Sequence, residues 1–435
     1  MALGIGRLLG SEVVQETDSD TGARLERLTS AKATCHHVYP TLNSTTFDGK
    51  FLLHFRELNR SAHRRQLFAM NLDTGLSMQL TSGEGVDPYQ AAFAADDKHV
   101  YYLQENEIWC LDILDLMRTS AYKPDRGWRV REFTFSADGR YAAVVEISER
   151  AGDVTAYDKD WSRFSLNQLR APTCRIVHID METGDKQIAV QQDVWIACPR
   201  LRPNDPQTIL FCHEGPQSLI DARMWLVHSD GSGLHRLREQ DRGTVITSEF
   251  WMPDGQYVGY LFGDCGGTFV DSVRLCNVET GEDVKIMNCA PYAHCTLHPS
   301  GRYLVGDAVS SYPSDNANAS GPSARSGDDG YIYVVDLLGR EEYRLCYHGS
   351  TWETKYGVTQ DAIPHPVFSR DGRFVIFVSD REGRPGIYRV DWGRFLWERE
   401  AKENGTTDVG VAVTFSSLEE HEALTGRGRE RAKRP

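Results

Sequence analysis

Short apolar runs alternate with tight polar turns along nearly the whole chain. An aromatic or apolar run ends in an Asp-Gly-type turn, and a second apolar run follows. The turns are Asp48-Gly49-Lys50, Asp96-Asp97-Lys98, Asp138-Gly139-Arg140, Asn204-Asp205-Pro206, Asp254-Gly255-Gln256, Ser300-Gly301-Arg302 and Asp371-Gly372-Arg373. Asp-Gly between alternating apolar runs signals a β-hairpin, because a type I′ turn needs positive φ. A second turn recurs downstream, as Asp73-Thr74-Gly75, Glu182-Thr183-Gly184, Glu279-Thr280-Gly281 and Asp336-Leu337-Leu338-Gly339. A strand such as Tyr331-Ile332-Tyr333-Val334-Val335 precedes it. Each repeat is therefore four short strands. Most first turns lie 42 to 50 residues apart, and insertions around 148–169 and 310–330 lengthen the other intervals. A four-stranded repeat of that period is a β-propeller blade. The expected fold is all-β: a seven-bladed β-propeller over residues 1–400. A β-sandwich with extra strands is the alternative.

The ends of the chain fit ring closure. The last repeat has three clear strands, finishing at Gly386–Asp391, while Asp20-Thr21-Gly22 followed by Leu25–Thr29 looks like an outer strand. The N-terminal strand is expected to complete the last blade and remove an open edge. Residues 311–329, rich in Ser, Asn, Asp, Gly and Pro, read as a mobile insertion loop. Residues 416–435, with Arg427, Arg429, Arg431, Lys433 and Arg434, read as a disordered basic tail.

Composition narrows the partners. Hydrophobic content of 40% and charge of 25% describe a soluble globular chain. A formal net charge of −14 argues against non-specific nucleic-acid binding. An anion can be bound only through a locally basic pocket or a cation. No run of about 18 apolar residues exists, so no membrane span is expected, and Met1–Gly10 is a poor signal peptide. The ten cysteines sit singly and several lie in strand-like runs. That pattern suits reduced, buried thiols in a cytoplasmic protein, with a disulfide framework as the alternative. A monomer or homodimer is expected.

In a propeller the innermost strand of each blade lines a central channel, so residues at its entry converge from distant parts of the sequence. Candidates there are His36, His37 and Tyr39, then Ser248 and Glu249, then His294, then Gln360 and His365. The stretch Gln360-Asp361-Ala362-Ile363-Pro364-His365-Pro366 is stiffened by two prolines, which fix φ and restrict the residue before each. His294, His365 and Gln360 offer two imidazoles and an amide oxygen, a set that suits Mn²⁺, Zn²⁺ or Ni²⁺. The plainer reading is that these groups bond across the channel through water.

Five pieces together, Cys212-His213-Glu214-Gly215-Pro216, Arg223-Met224-Trp225, Glu249-Phe250-Trp251, Val305-Gly306-Asp307 and Pro364-His365-Pro366, carry a family resemblance. The chain resembles the oligogalacturonate lyases, seven-bladed propeller enzymes of cytoplasmic pectin breakdown. The resemblance implies a metal, usually manganese, held by His294, Gln360 and His365, and an active-site arginine at Arg223. It implies β-elimination on a short acidic oligosaccharide: neutralisation of a uronate carboxylate, removal of the C5 proton, departure of the C4 oxygen. Two positions depart from the pattern. The family's general-base histidine is Ser248 here, and one metal-ligating histidine is Ile363. The base is then sought in His213, which precedes Arg223 in the same blade, with His37 and Tyr39 as further candidates and as substrate-binding groups. A lyase of shifted specificity, for instance on a glucuronate-containing glycan, and a non-catalytic carbohydrate-binding or interaction propeller are the alternatives.

Overall fold

The computed structural model describes residues 4–59, 64–151, 172–215, 220–264, 271–308, 330–353, 355–357, 360–396 and 398. The expected insertion loop and basic tail lie outside the described residues.

Seven antiparallel sheets form a ring of blades. Their innermost strands are Cys35–His37, Val86–Phe93, Trp128–Phe135, Ile196–Arg202, Thr244–Trp251, Tyr292–Leu297 and Val367–Phe368, which number blades 1 to 7. Each runs through its Asp-Gly-type turn into the next strand outward, as the hydrophobic pattern predicts. The turn differs in type from the expectation. At Asp48, Asp138, Asp254 and Asp371 only the following glycine takes positive φ, 67° to 74°. A bond from its N–H to the residue three back, such as Gly372 to the Ser369 carbonyl at 2.8 Å, makes a turn followed by one left-handed residue rather than type I′. Asp97 and Asn204 hold that left-handed position where glycine is absent, as short polar side chains can.

Ring closure takes more of the N-terminus than one strand. Arg24–Arg27 pairs with Gly386–Asp391, and Val14–Thr17 adds a further strand outside it, so blade 7 has five. Leu8–Leu9 pairs with Ser77–Gln79 on the outside of blade 1. The N-terminal segment thus stitches the last blade to the first, and the Cys35 N–H donates to the Pro385 carbonyl at 2.8 Å across the seam.

The core is a ring of apolar clusters between neighbouring blades. Ile176, Trp195 and Phe211 fill the gap between blades 3 and 4. Leu210, Ile246 and Tyr260 do so between blades 4 and 5, and Val305, Phe377 and Trp392 between blades 6 and 7. Each strand face that leaves water here contributes about 25 cal/mol per Å² of apolar surface. No helix among the described residues is long and apolar enough to cross a membrane.

Candidate functional site

What aims side chains at the hub is an irregularity repeated around the ring. The innermost strands of blades 2 to 6 each slip register against their neighbour, at Val86/Ala91, Val130/Glu132, Ala197/Arg200, Thr247/Phe250 and Tyr292/Cys295. A β-bulge re-aims a side chain and is common beside active sites. Cys198 and Ser248 sit in two of these bulges at φ of 52° and 55°, and His365 enters blade 7 at 47°. Left-handed backbone costs a non-glycine residue about 1–2 kcal/mol, which the packed sheets on either side must offset.

On the side of blades 6 and 7, Asp307 organises two histidines. Its carboxylate is fully buried. It accepts the His294 N–H at 2.6 Å and the His365 N–H at 3.2 Å, and faces His294 Nδ1 at 3.2 Å. A proton held on Nδ1 by that carboxylate leaves the lone pair on His294 Nε2. The His294 and His365 rings meet edge to face, 4.3 Å between centroids. His365 Nε2 and Gln360 Oε1 are buried without a hydrogen-bond partner, a condition that calls for an explanation because each such atom costs about 1–3 kcal/mol. Burial, then the neighbouring imidazoles of His294, His37 and His36, keeps His365 well below the usual histidine range, so it is neutral. Imidazole nitrogens and an amide oxygen with open lone pairs fit a borderline divalent cation.

The loop carrying Gln360 and His365 is anchored as well as stiffened. Asp361 is fully buried, takes Arg65 Nη2 at 2.5 Å and the Tyr89 hydroxyl at 3.2 Å, while Arg65 also reaches the Tyr356 carbonyl at 3.3 Å. His36 stacks on Tyr89, 4.5 Å between centroids. His37 donates from Nδ1 to the Val38 carbonyl at 2.7 Å; its ring faces the His365 main chain, and its Nε2 makes no hydrogen bond. Burial lowers its pKa to about 4. Tyr39 is half-buried with its ring edge-on to His365 at 5.7 Å.

On the side of blades 4 and 5, Arg223 is buried among anionic groups. Its Nε bonds Glu249, and its Nη1 reaches Glu214 at 3.2 Å. Burial works against its charge, but the carboxylates of Glu214 and Glu249 around it hold the guanidinium protonated. The two sides abut, since the Cys295 N–H, next to His294, donates to the Ser248 hydroxyl at 3.3 Å, next to Glu249. His213 is placed differently. Its ring stacks on Trp225 at 4.5 Å and its Nε2 bonds Gln192 Oε1 at 2.9 Å. Gln192 ends the outermost strand of blade 3, so this imidazole is tied to the blade 3–4 seam. Burial lowers its pKa to about 4. Ile363 stands half-buried in the loop between Gln360 and His365.

Of the residues picked from the sequence, His294, His37 and Tyr39 meet His365, Gln360 lies on the loop that carries His365, and Arg223 is linked to them through Glu249 and the neighbouring Ser248–Cys295 contact. The sequence assigned no positioning role to the groups that hold them: Asp307, Glu249, Asp361 and Arg65. Asp307 carried a readable signal, a carboxylate inside the otherwise apolar strand Tyr303–Ala308.

The profile of the oligogalacturonate lyase family matches residues 4–394. The oligogalacturonide lyase of Pectobacterium atrosepticum is 30% identical over 384 residues, 87% of this chain and 96% of its own. The oligogalacturonate lyase of Dickeya dadantii is 29% identical over 387 residues, 88% and 96% respectively. A solved oligogalacturonate lyase in complex with manganese superposes with a TM-score of 0.80 at 26% identity, covering 89% of this chain and 98% of that one. The oligogalacturonate lyase of Vibrio parahaemolyticus gives 0.80 at 30% identity over the same shares. The chain belongs to the oligogalacturonate lyase family.

Proposed function

We propose that this member of the oligogalacturonate lyase family cleaves short oligogalacturonates by β-elimination, with a divalent cation, manganese, held by His294, Gln360 and His365. The observation that carries the reading is the pair of buried, unpartnered atoms, His365 Nε2 and Gln360 Oε1, beside a His294 oriented by Asp307. A cation bound there supplies an electrophile for a uronate carboxylate, whose neutralisation lowers the barrier to losing the C5 proton. Arg223 grips the same carboxylate from the other side. It can exchange half-buried Glu214 for the substrate while keeping Glu249, so its charge is never left unpaired. His37 and Tyr39 border the bound sugar.

His213 enters as the proton acceptor through Nδ1, because Nε2–H is committed to Gln192 and the ring is neutral at pH 7. In this role His213→Ala lowers kcat by about 10²–10⁴-fold with KM little changed. A loss of thermal stability with kcat retained would make it a buttress for Trp225 instead.

We place the protein in the cytoplasm, a reading supported by buried free thiols such as those of Cys35, Cys174, Cys212 and Cys346. It is taken to act as a monomer or homodimer on an acidic oligosaccharide.

The test is the ultraviolet absorbance of the 4,5-unsaturated product on digalacturonate and trigalacturonate with Mn²⁺ added. Activity is expected, removed by chelator and restored by Mn²⁺. Stoichiometric metal with no product from any galacturonate would leave a binding protein. Turnover on glucuronate oligomers alone would favour the shifted specificity to which Ser248 and Ile363 point. The double variant Ser248→His, Ile363→His should then gain galacturonate activity.

A further inference from the structure

A second constellation of metal-ligating groups lies on the Arg223 side, separate from the imidazoles and the amide. Cys198, Cys212 and Glu214 place one ligand atom each within 4.8 Å of one another, the one such cluster of three His, Cys, Asp or Glu groups among the described residues. Backbone geometry builds it. The bulge between Ala197 and Arg200 turns Cys198 out of the strand at φ 52°, and the Glu132 carboxylate of blade 3 holds its N–H at 2.7 Å. Cys212, on the next strand, sits opposite Ala197, whose carbonyl takes its thiol at 3.3 Å. Glu214 follows two residues on and also bonds Arg223. Cys212 is buried, while Cys198 and Glu214 are half-exposed and give an ion a way in.

We propose that Cys198, Cys212 and Glu214 form a second cation site, selective for thiophilic divalent ions such as Zn²⁺ and Cd²⁺, whose filling withdraws Glu214 from Arg223. Two sulfurs and one carboxylate favour such ions over Mn²⁺, whereas the imidazole–amide set has no sulfur. Loading balances as one hydrated dication in and two protons out. Each thiol gives its proton to solvent, each sulfur lone pair forms a bond to the ion, Glu214 supplies an oxygen, and water leaves. The charges permit it: two thiolates, Glu214 and Glu249 sum to −4, against +1 from Arg223 and +2 from the ion. Glu249 keeps Arg223 paired when Glu214 leaves. The filled site crowds the arginine that the lyase reading assigns to the substrate carboxylate, so Zn²⁺ should inhibit Mn²⁺-loaded protein competitively with substrate.

The experiment titrates Cd²⁺ into the full-length, Mn²⁺-loaded protein with its thiols kept reduced by a non-chelating phosphine. It follows the ultraviolet thiolate-to-cadmium charge-transfer band and the protons released. One equivalent of Cd²⁺, two protons and a band are expected. Cys198→Ser, a change at a half-exposed position, should abolish the one-equivalent band. Glu214→Gln should weaken binding while keeping the band, since both sulfurs remain. His365→Ala should leave the band unchanged. The proposal is overturned by no band at saturating Cd²⁺, by a full band in Cys198→Ser, by unaltered affinity in Glu214→Gln, or by loss of the band in His365→Ala. None of these readouts needs catalysis, so a failed lyase assay does not decide them.

Discussion

The two sides of the hub solve opposite problems of burial. Across blades 6 and 7, neutral donors are taken out of water with lone pairs left open. Across blades 4 and 5, a cation is taken out of water with more anionic partners than it needs. An unmade hydrogen bond on a neutral atom costs about 1–3 kcal/mol, a cost the fold can bear. A buried guanidinium cannot be left in that way, because an unpaired interior charge costs several kcal/mol. Glu249 and Glu214 therefore keep it paired. One side can take a cation and the other can exchange an anion, and a carboxylate set between them would satisfy both.

The largest effect expected from that contrast is at Arg223. Arg223→Ala should strand Glu249, which is 4% exposed, and cost about 3–5 kcal/mol of stability, with kcat/KM falling about 10³-fold. Adding Glu249→Gln should recover stability, read by thermal melting, but not turnover. If the double variant regains activity, the arginine serves the fold and not the substrate. The blade 6–7 side should respond differently. Asp307→Asn keeps the shape but weakens the hold on His294 Nδ1, so Mn²⁺ affinity, followed by the electron paramagnetic resonance of the free ion, should drop about 10–100-fold. Unchanged affinity would mean that the two histidines do not share a cation.

The strand–turn–strand repeat was legible because it is local. Alternation and Asp-Gly-type turns are written within a few consecutive residues, and the ring follows from counting them. The histidines were legible because polar residues are rare at the entry to an apolar strand. The register slips were not. A bulge depends on how one strand sits against its neighbour, and nothing in Ala197-Cys198-Pro199 or Thr247-Ser248-Glu249 announces it. The supporting groups escaped for a related reason. Arg65 and Asp361 are 296 positions apart yet 2.5 Å apart in space, a pairing that only ring closure creates. His213 makes the converse point: closeness to Arg223 in sequence did not decide where its ring is held, which the contact with Gln192 of another blade does.

A smaller effect asks whether the two sides are mechanically separate, since each leans on a buried neutral histidine. His298 joins blade 6 to blade 7, with Nε2–H donating to the Gly372 carbonyl at 3.0 Å and Nδ1 accepting the Ser300 N–H at 3.0 Å. Burial lowers its pKa to about 4, as it does for His213 on the other side. An unfolded histidine titrates near about 6.5, so between these values unfolding takes up a proton. The stability from each is complete above about pH 6.5 and drains as pH falls towards the folded value, on the order of 1 kcal/mol by pH 5.5. His298→Asn should start less stable at pH 7 and then lose less on acidification. Hydrogen exchange resolved by blade locates the effect. Flattening confined to blades 6 and 7 would mean that the side of His294 and His365 can loosen while Arg223 stays clamped. Equal flattening around the ring would mean that it opens as one unit, and the contrast between the sides would then be one of chemistry alone.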